Sequence, residues 1–83
     1  MEIGLALPHY EYSFGLPGEL DIRRMLSVAT QAEGLGYSSV WISDHVWLDL
    51  AKYGGPATPF ATTELVTALS ALAVATKTVR IGS

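Results

Sequence analysis

Ser38-Ser39-Val40-Trp41-Ile42-Ser43-Asp44-His45 is the stretch on which the fold turns. Its centre, Val40-Trp41-Ile42, is β-branched and aromatic, the composition of a strand in a parallel sheet whose faces are covered by helices. The run then ends abruptly in an acid and a histidine. In α/β folds ligands bind at the carboxyl ends of the strands, so Asp44 and His45 stand where ionisable groups have a use.

Toward the amino terminus, Ile22, Met25, Leu26, Ala29 and Ala32 recur at helical spacing while Arg23, Arg24, Thr30 and Gln31 take the other face. Asp21 is placed to cap that helix, and Gly34 or Gly36 to close it. Pro8 to Leu20 reads as a loop punctuated by Gly15, Pro17 and Gly18. Before it, Ile3 to Leu7 reads as a first strand, stopped by Pro8, which has no amide to donate.

Toward the carboxyl terminus, a loop from Val46 to Phe60 contains the Gly54-Gly55-Pro56 turn and Pro59. The Gly54-Gly55 pair lacks the Lys-Ser or Lys-Thr that would make a phosphate cradle. A second helix is predicted from Thr62 to Thr76, with Leu65, Ala68, Leu69, Leu72 and Ala73 on one stripe. Thr62 or Thr63 is positioned to cap it, and Glu64 favours the positive end of the helix dipole. Val79 to Gly82 begins a third strand.

Strand, helix, strand, helix, strand implies right-handed crossovers and a parallel sheet, either an open doubly wound sheet or a (β/α)8 TIM barrel. The open dinucleotide-binding sheet calls for a glycine-rich turn after the first strand, where this chain has Pro8-His9-Tyr10-Glu11-Tyr12. The barrel is the expected architecture. Its eight units take roughly 250 residues, so 83 residues are expected to supply only its amino-terminal βαβαβ portion. Such a piece has an unpaired edge and a bare apolar face, from which homo-oligomerisation, or dependence on the remainder of a barrel, is expected.

A hydrophobic content of 49% with 16% charged residues marks a globular chain rather than a disordered one. The net charge of −3, with Arg23, Arg24, Lys52, Lys77 and Arg80 scattered, argues against nucleic acid as a partner. The absence of cysteine removes disulfides and thiolate-held metals. Leu65 to Ala75 is the longest apolar stretch and falls short of the roughly 20 residues that a membrane span needs. The amino terminus lacks a secretory pattern, so a soluble cytoplasmic protein is expected.

An imidazole titrates near neutrality, which makes His45 a candidate for proton transfer to or from a substrate, with Asp44 orienting it. Adjacent strand residues point to opposite faces, so that pairing requires the chain to bend after Ser43. The bland alternatives are a satisfied histidine and an Asx turn at Asp44. Two adjacent groups without a third define no metal geometry, so no metal is expected. His9, just past the first strand, is expected at the same end of the sheet. Trp41 is expected in the core or packed against a helix rather than as a stacking platform. Trp47, Tyr53 and Phe60 could wall a substrate pocket or simply anchor their loop.

The segment Gly36-Tyr37-Ser38-Ser39-Val40-Trp41-Ile42-Ser43-Asp44-His45 resembles the second strand of the bacterial luciferase-like flavin-dependent oxidoreductases. Ile3-Gly4-Leu5-Ala6-Leu7-Pro8 resembles their first strand, Gln31-Ala32-Glu33-Gly34-Leu35-Gly36 the end of their first helix, and Thr76 to Ser83 the entry into their third strand. An acid followed by a single histidine, in Ser43-Asp44-His45-Val46, resembles the members that use the deazaflavin coenzyme F420. The loop from Trp47 to Pro56 points the same way. The alternative within the family is an FMN-dependent monooxygenase.

The resemblance implies a (β/α)8 barrel holding its flavin at the carboxyl ends of the strands, with hydride transfer between the ring and a small-molecule substrate. It implies His45 and Asp44 as catalytic residues, His9 and Ser83 as cofactor-binding residues, and Trp47 and Tyr53 as pocket walls. At Ser83 it implies the start of a bulge, with a non-proline cis peptide, that backs the ring. A fragment of this kind is expected to be inactive by itself.

Overall fold

The computed structural model describes residues 1–10, 21–44, 52, 54 and 62–83. Asp21 starts the first helix, α1 (Ile22–Gly34), by accepting a hydrogen bond at Oδ1 from the Arg23 amide at 2.9 Å. Gly34 is the last residue of the helix, and Gly36, two residues on, closes it. Gly36 has φ +92°, and around it the Tyr37 amide donates to the Ala32 carbonyl (3.1 Å) and the Gly36 amide to the Glu33 carbonyl (3.2 Å). This paired closure satisfies the last carbonyls and needs a residue that enters the left-handed region without a Cβ penalty.

Three parallel strands follow the expected order: β1 (Gly4–Ala6), β2 (Ser39–Trp41) and β3 (Arg80–Gly82), arranged β1-β2-β3. Leu5, Val40 and Ile81 are register partners, as are Ala6, Trp41 and Gly82. The hydrogen-bonded ladder extends past these strands, from Leu7 N to Trp41 O at 2.8 Å and from Ile42 N to Gly82 O at 3.1 Å. The second helix, α2 (Leu65–Ala75), starts later than Thr62. Its cap is Glu64, whose carboxylate accepts from Val66 N, Thr67 N and the Thr67 hydroxyl at 2.8 to 3.1 Å. A carboxylate can satisfy several amino-terminal amides at once, where a threonine hydroxyl satisfies one.

Both helices pack on one face of the sheet. Met25, Ala29 and Ala32 of α1 meet Ala68 and Leu72 of α2 over Val40, with Leu7, Ile42 and Val79 completing the buried cluster. Small residues on both helices let them approach the sheet and each other closely. The expected stripes hold, except that Ala73 is exposed.

The other face is uncovered among the described residues, and this corrects the expectation for Trp41. Because side chains alternate along a strand, burying Val40 against the helices sends Trp41 the opposite way. Its side of the sheet is open, and the residue is 47% exposed. The indole Nε1 donates to Ser39 Oγ at 2.8 Å. A Cβ on Gly4 would lie 2.8 Å from Nε1, and one on Gly82 would collide with Cζ3, Cε3 and Cη2 at the other end of the ring system. Glycines on both neighbouring strands therefore give the indole a flat bed.

Glu33 joins the two crossovers. Its Oε2 accepts the amides of Lys77 (2.8 Å), Thr78 (2.6 Å) and Val79 (2.9 Å), together with the Thr78 hydroxyl (3.2 Å). The end of α1 is thereby fixed to the turn that delivers β3. These amides hold the carboxyl at a pKa of about 2, with the Val79 amide the largest cause.

Candidate functional site at the strand ends

Pro8 stops β1, and the chain continues into His9 and Tyr10 at the carboxyl end of the sheet. His9 is buried, with 5% exposure. Its backbone carbonyl accepts from Thr63 N (3.2 Å) and the Thr62 hydroxyl (3.1 Å) in the segment entering α2. Tyr10 and Thr62 form an antiparallel bridge. The residues after β1 are thus tied to those before α2, and the imidazole is held from both sides.

His9 Nδ1 lies 3.0 Å from the Leu7 carbonyl oxygen, and Nε2 lies 3.1 Å from Ser43 Oγ, just beyond β2. A carbonyl only accepts, so Nδ1 carries the proton. The neutral ring then has one remaining role at Nε2, that of acceptor, and Ser43 donates its hydroxyl proton there. Tyr10 completes the arrangement. Its hydroxyl is 2.8 Å from Ser43 Oγ and donates to it, and its ring lies against the imidazole with centroids 4.2 Å apart.

The order of donors is therefore Tyr10 hydroxyl to Ser43 Oγ, Ser43 hydroxyl to His9 Nε2, and His9 Nδ1–H to the Leu7 carbonyl. Ser43 is exposed while the imidazole behind it is buried. The two chain segments come together because Leu7 and Ile42 continue the sheet ladder beyond the strands.

Of the residues singled out from the sequence, His9 and Asp44 fall at neighbouring strand ends, and Asp44 is exposed. Ser83 is exposed at the end of β3, two strand spacings from β1, or roughly 10 Å across the sheet. The peptides of the described residues are all trans. His45, Trp47, Tyr53 and Phe60 lie outside the described residues, as does most of the loop from Val46 to Phe60. Gly54, with φ +78°, occupies the turn expected around it.

Ser43 and Tyr10 were not singled out as site residues. Their signal was faint: a serine between a hydrophobic strand and an acid, and a tyrosine following a histidine after a proline. Neither shows its meaning until the register of β1 against β2 is known.

Among the described residues, no cluster of His, Cys, Asp and Glu could hold a metal, and no helix is long and apolar enough to cross a membrane. A cavity of about 460 Å³ lies on the open sheet face near the amino ends of the strands, lined by Glu2, Ser38, Ser39, Trp41 and Arg80 among others. It does not include the His9–Ser43 pair.

Searches of curated proteins and of solved structures find no significant match. A family model described as luciferase-like monooxygenase matches residues 1–83. With parallel strands and a polar cluster at their carboxyl ends, the chain belongs to the luciferase-like monooxygenase family, a group of flavin- and F420-type oxidoreductases.

Proposed function

We propose that this chain is the amino-terminal part of a coenzyme F420-dependent oxidoreductase that transfers hydride between the deazaflavin and a small organic substrate. The observation that carries the reading is the polar cluster of His9, Ser43 and Tyr10 beside Asp44 at the carboxyl end of a parallel sheet. Support for the barrel comes from the sequential strand order and from two helices on one face, the arrangement of a barrel wall. Support for the deazaflavin comes from the Ser43-Asp44-His45-Val46 run.

The donor set fits an organic redox group. It offers hydroxyls, an imidazole and a carboxylate, groups that hydrogen-bond a heteroaromatic edge and exchange protons with a substrate. When bound, the deazaflavin supplies a ring carbon that accepts or gives hydride. His9 and Ser83 are the chain's candidates for holding it, with Trp47 and Tyr53 as walls of the substrate pocket. Hydride transfer to or from a small organic substrate is coupled to movement of a proton, and Asp44 and His45 are the chain's candidates for handling it at the reacting centre. A homo-oligomeric, cytoplasmic enzyme belongs to the same reading.

Titration of the natural protein with coenzyme F420 and with FMN, followed by absorbance and fluorescence, tests it. Binding of F420 in preference to FMN is expected. Tight binding of FMN with none of the deazaflavin overturns the reading in favour of an FMN-dependent monooxygenase.

A further inference from the structure

We propose that Ser43 is a further proton-transfer residue beside Asp44, an exposed hydroxyl activated by the buried His9. Its use in hydride chemistry rests on the oxidoreductase reading above. The activation of Ser43 rests on geometry alone.

Three features make the pair a directed device rather than a chance hydrogen bond. The tautomer is fixed: Nδ1–H is committed to the Leu7 carbonyl, so Nε2 is left as an acceptor aimed at Ser43 Oγ 3.1 Å away. The direction is also fixed by burial, with the base enclosed and the hydroxyl on the outside. Finally, Tyr10 holds Ser43 Oγ from a second side at 2.8 Å and packs its ring on the imidazole, which limits the rotation of both partners.

A hydroxyl donating to a correctly oriented imidazole nitrogen is the arrangement by which serine is activated. Here the third member, which orients the imidazole, is a backbone carbonyl in place of a carboxylate. That carbonyl keeps its hydrogen bond when the ring takes up the proton.

A proton leaving the reacting centre passes to Ser43 Oγ as the Ser43 proton passes to His9 Nε2, so that the Oγ–H bond is re-formed and the net change is one new Nε2–H bond. In the reverse direction the proton returns along the same line. His9 and Tyr10 act through Ser43 as positioning residues, with His9 also storing the proton.

The test needs neither cofactor nor substrate. In the natural protein labelled with ¹⁵N-histidine, long-range ¹H–¹⁵N correlation is expected to show His9 as the Nδ1–H tautomer, with an Nε2 resonance that moves in Ser43→Ala and returns toward its original position in Ser43→Thr, which restores the hydroxyl. A fluorophosphonate probe is expected to label Ser43: the Oγ–P bond forms, fluoride leaves, and the Oγ proton goes to His9. The labelling rate is expected to fall at least tenfold in His9→Ala.

An Nε2–H tautomer in the wild-type protein, absence of labelling at Ser43, or labelling that is indifferent to His9 overturns the proposal. The wild-type tautomer keeps it falsifiable even where His9→Ala does not fold. Failure to bind the deazaflavin, with Ser43 still labelled through His9, would overturn the oxidoreductase reading and leave the activated hydroxyl standing.

Discussion

Glu33 shows how much one side chain can organise. Three consecutive backbone amides converge on a single carboxylate oxygen, which is why its pKa is held at about 2 rather than 4.5. A folded-state pKa below the unfolded one contributes stability that is fully present above about pH 4.5 and is lost as pH falls toward about 2. Glu33→Gln is therefore expected to lower the urea midpoint at neutral pH, and its deficit against the wild type is expected to shrink as the pH approaches about 2. Urea denaturation at a series of pH values measures this, and a deficit that does not change with pH would show the charge to be irrelevant.

Gly82 is a second residue whose identity is dictated by a neighbour. A methyl group there collides with the benzo end of Trp41, which lies on the open face and has room to swing away. Overpacking usually costs about 1–3 kcal/mol, and the available escape places Gly82→Ala near the low end, about 1 kcal/mol. In a Trp41→Ala background the same change is expected to cost less than about 0.5 kcal/mol, the residual seen for uncoupled sites. A double-mutant cycle reads the difference, and additivity within error would mean that the glycine bed has no energetic role.

At the scale of elements, α2 is held by two positions rather than by its whole apolar surface. Leu72 and Ala68 are fully buried while Val66, Ala73 and Val74 face outward. Leu72→Ala is expected to destabilise by about 2–5 kcal/mol through the cavity it leaves, whereas Ala73→Gln should stay within about 0.5 kcal/mol. Chemical denaturation of the two variants distinguishes them, and equal losses would show that the stripe predicted from spacing, which included Ala73, is the buried one. Gly36→Ala is expected to cost roughly 1–2 kcal/mol because an L-residue resists the left-handed region that closes α1.

These elements also show what could be read directly from the residues. Asp21 as a cap, the Met25-Ala29-Ala32 stripe and the parallel order of strands follow from local chemistry and periodicity, which need no knowledge of the rest of the chain. Glu64 displaced the threonines as cap because its carboxylate reaches more amides, a competition that spacing does not settle. Trp41 was misread because composition says a strand is covered without saying by what, and here the helices cover only the Val40 side. The His9–Ser43 pair is 34 positions apart in sequence and depends on register, which is a property of the assembled sheet. Of the site, Asp44 and His9 were legible as groups at strand ends, but their partners were not.

At the scale of the whole molecule, the described sheet has helices on one face and nothing on the other. β1 and β3 are its edges, and Gly4, Ala6, Ser39, Trp41 and Gly82 make an open face with little charge beyond Arg80, which pairs with Glu2 at 2.9 Å near solvent. That exposed ion pair contributes little to stability or to protecting the face. Sheet edges and uncovered apolar faces seek partners, and the nearest available partner for these 83 residues expressed by themselves is another copy. Light scattering on such a polypeptide is expected to give a mass that rises with concentration, and Trp41→Lys, which puts a charge at the centre of the face, is expected to reduce the rise. The same polypeptide is expected to show no hydride transfer, because its three strands would form only part of the mouth of the barrel proposed above. A monomer at every concentration would mean that the indole on its glycine bed covers the sheet well enough by itself, and the open face would then be a finished surface rather than one that seeks a partner.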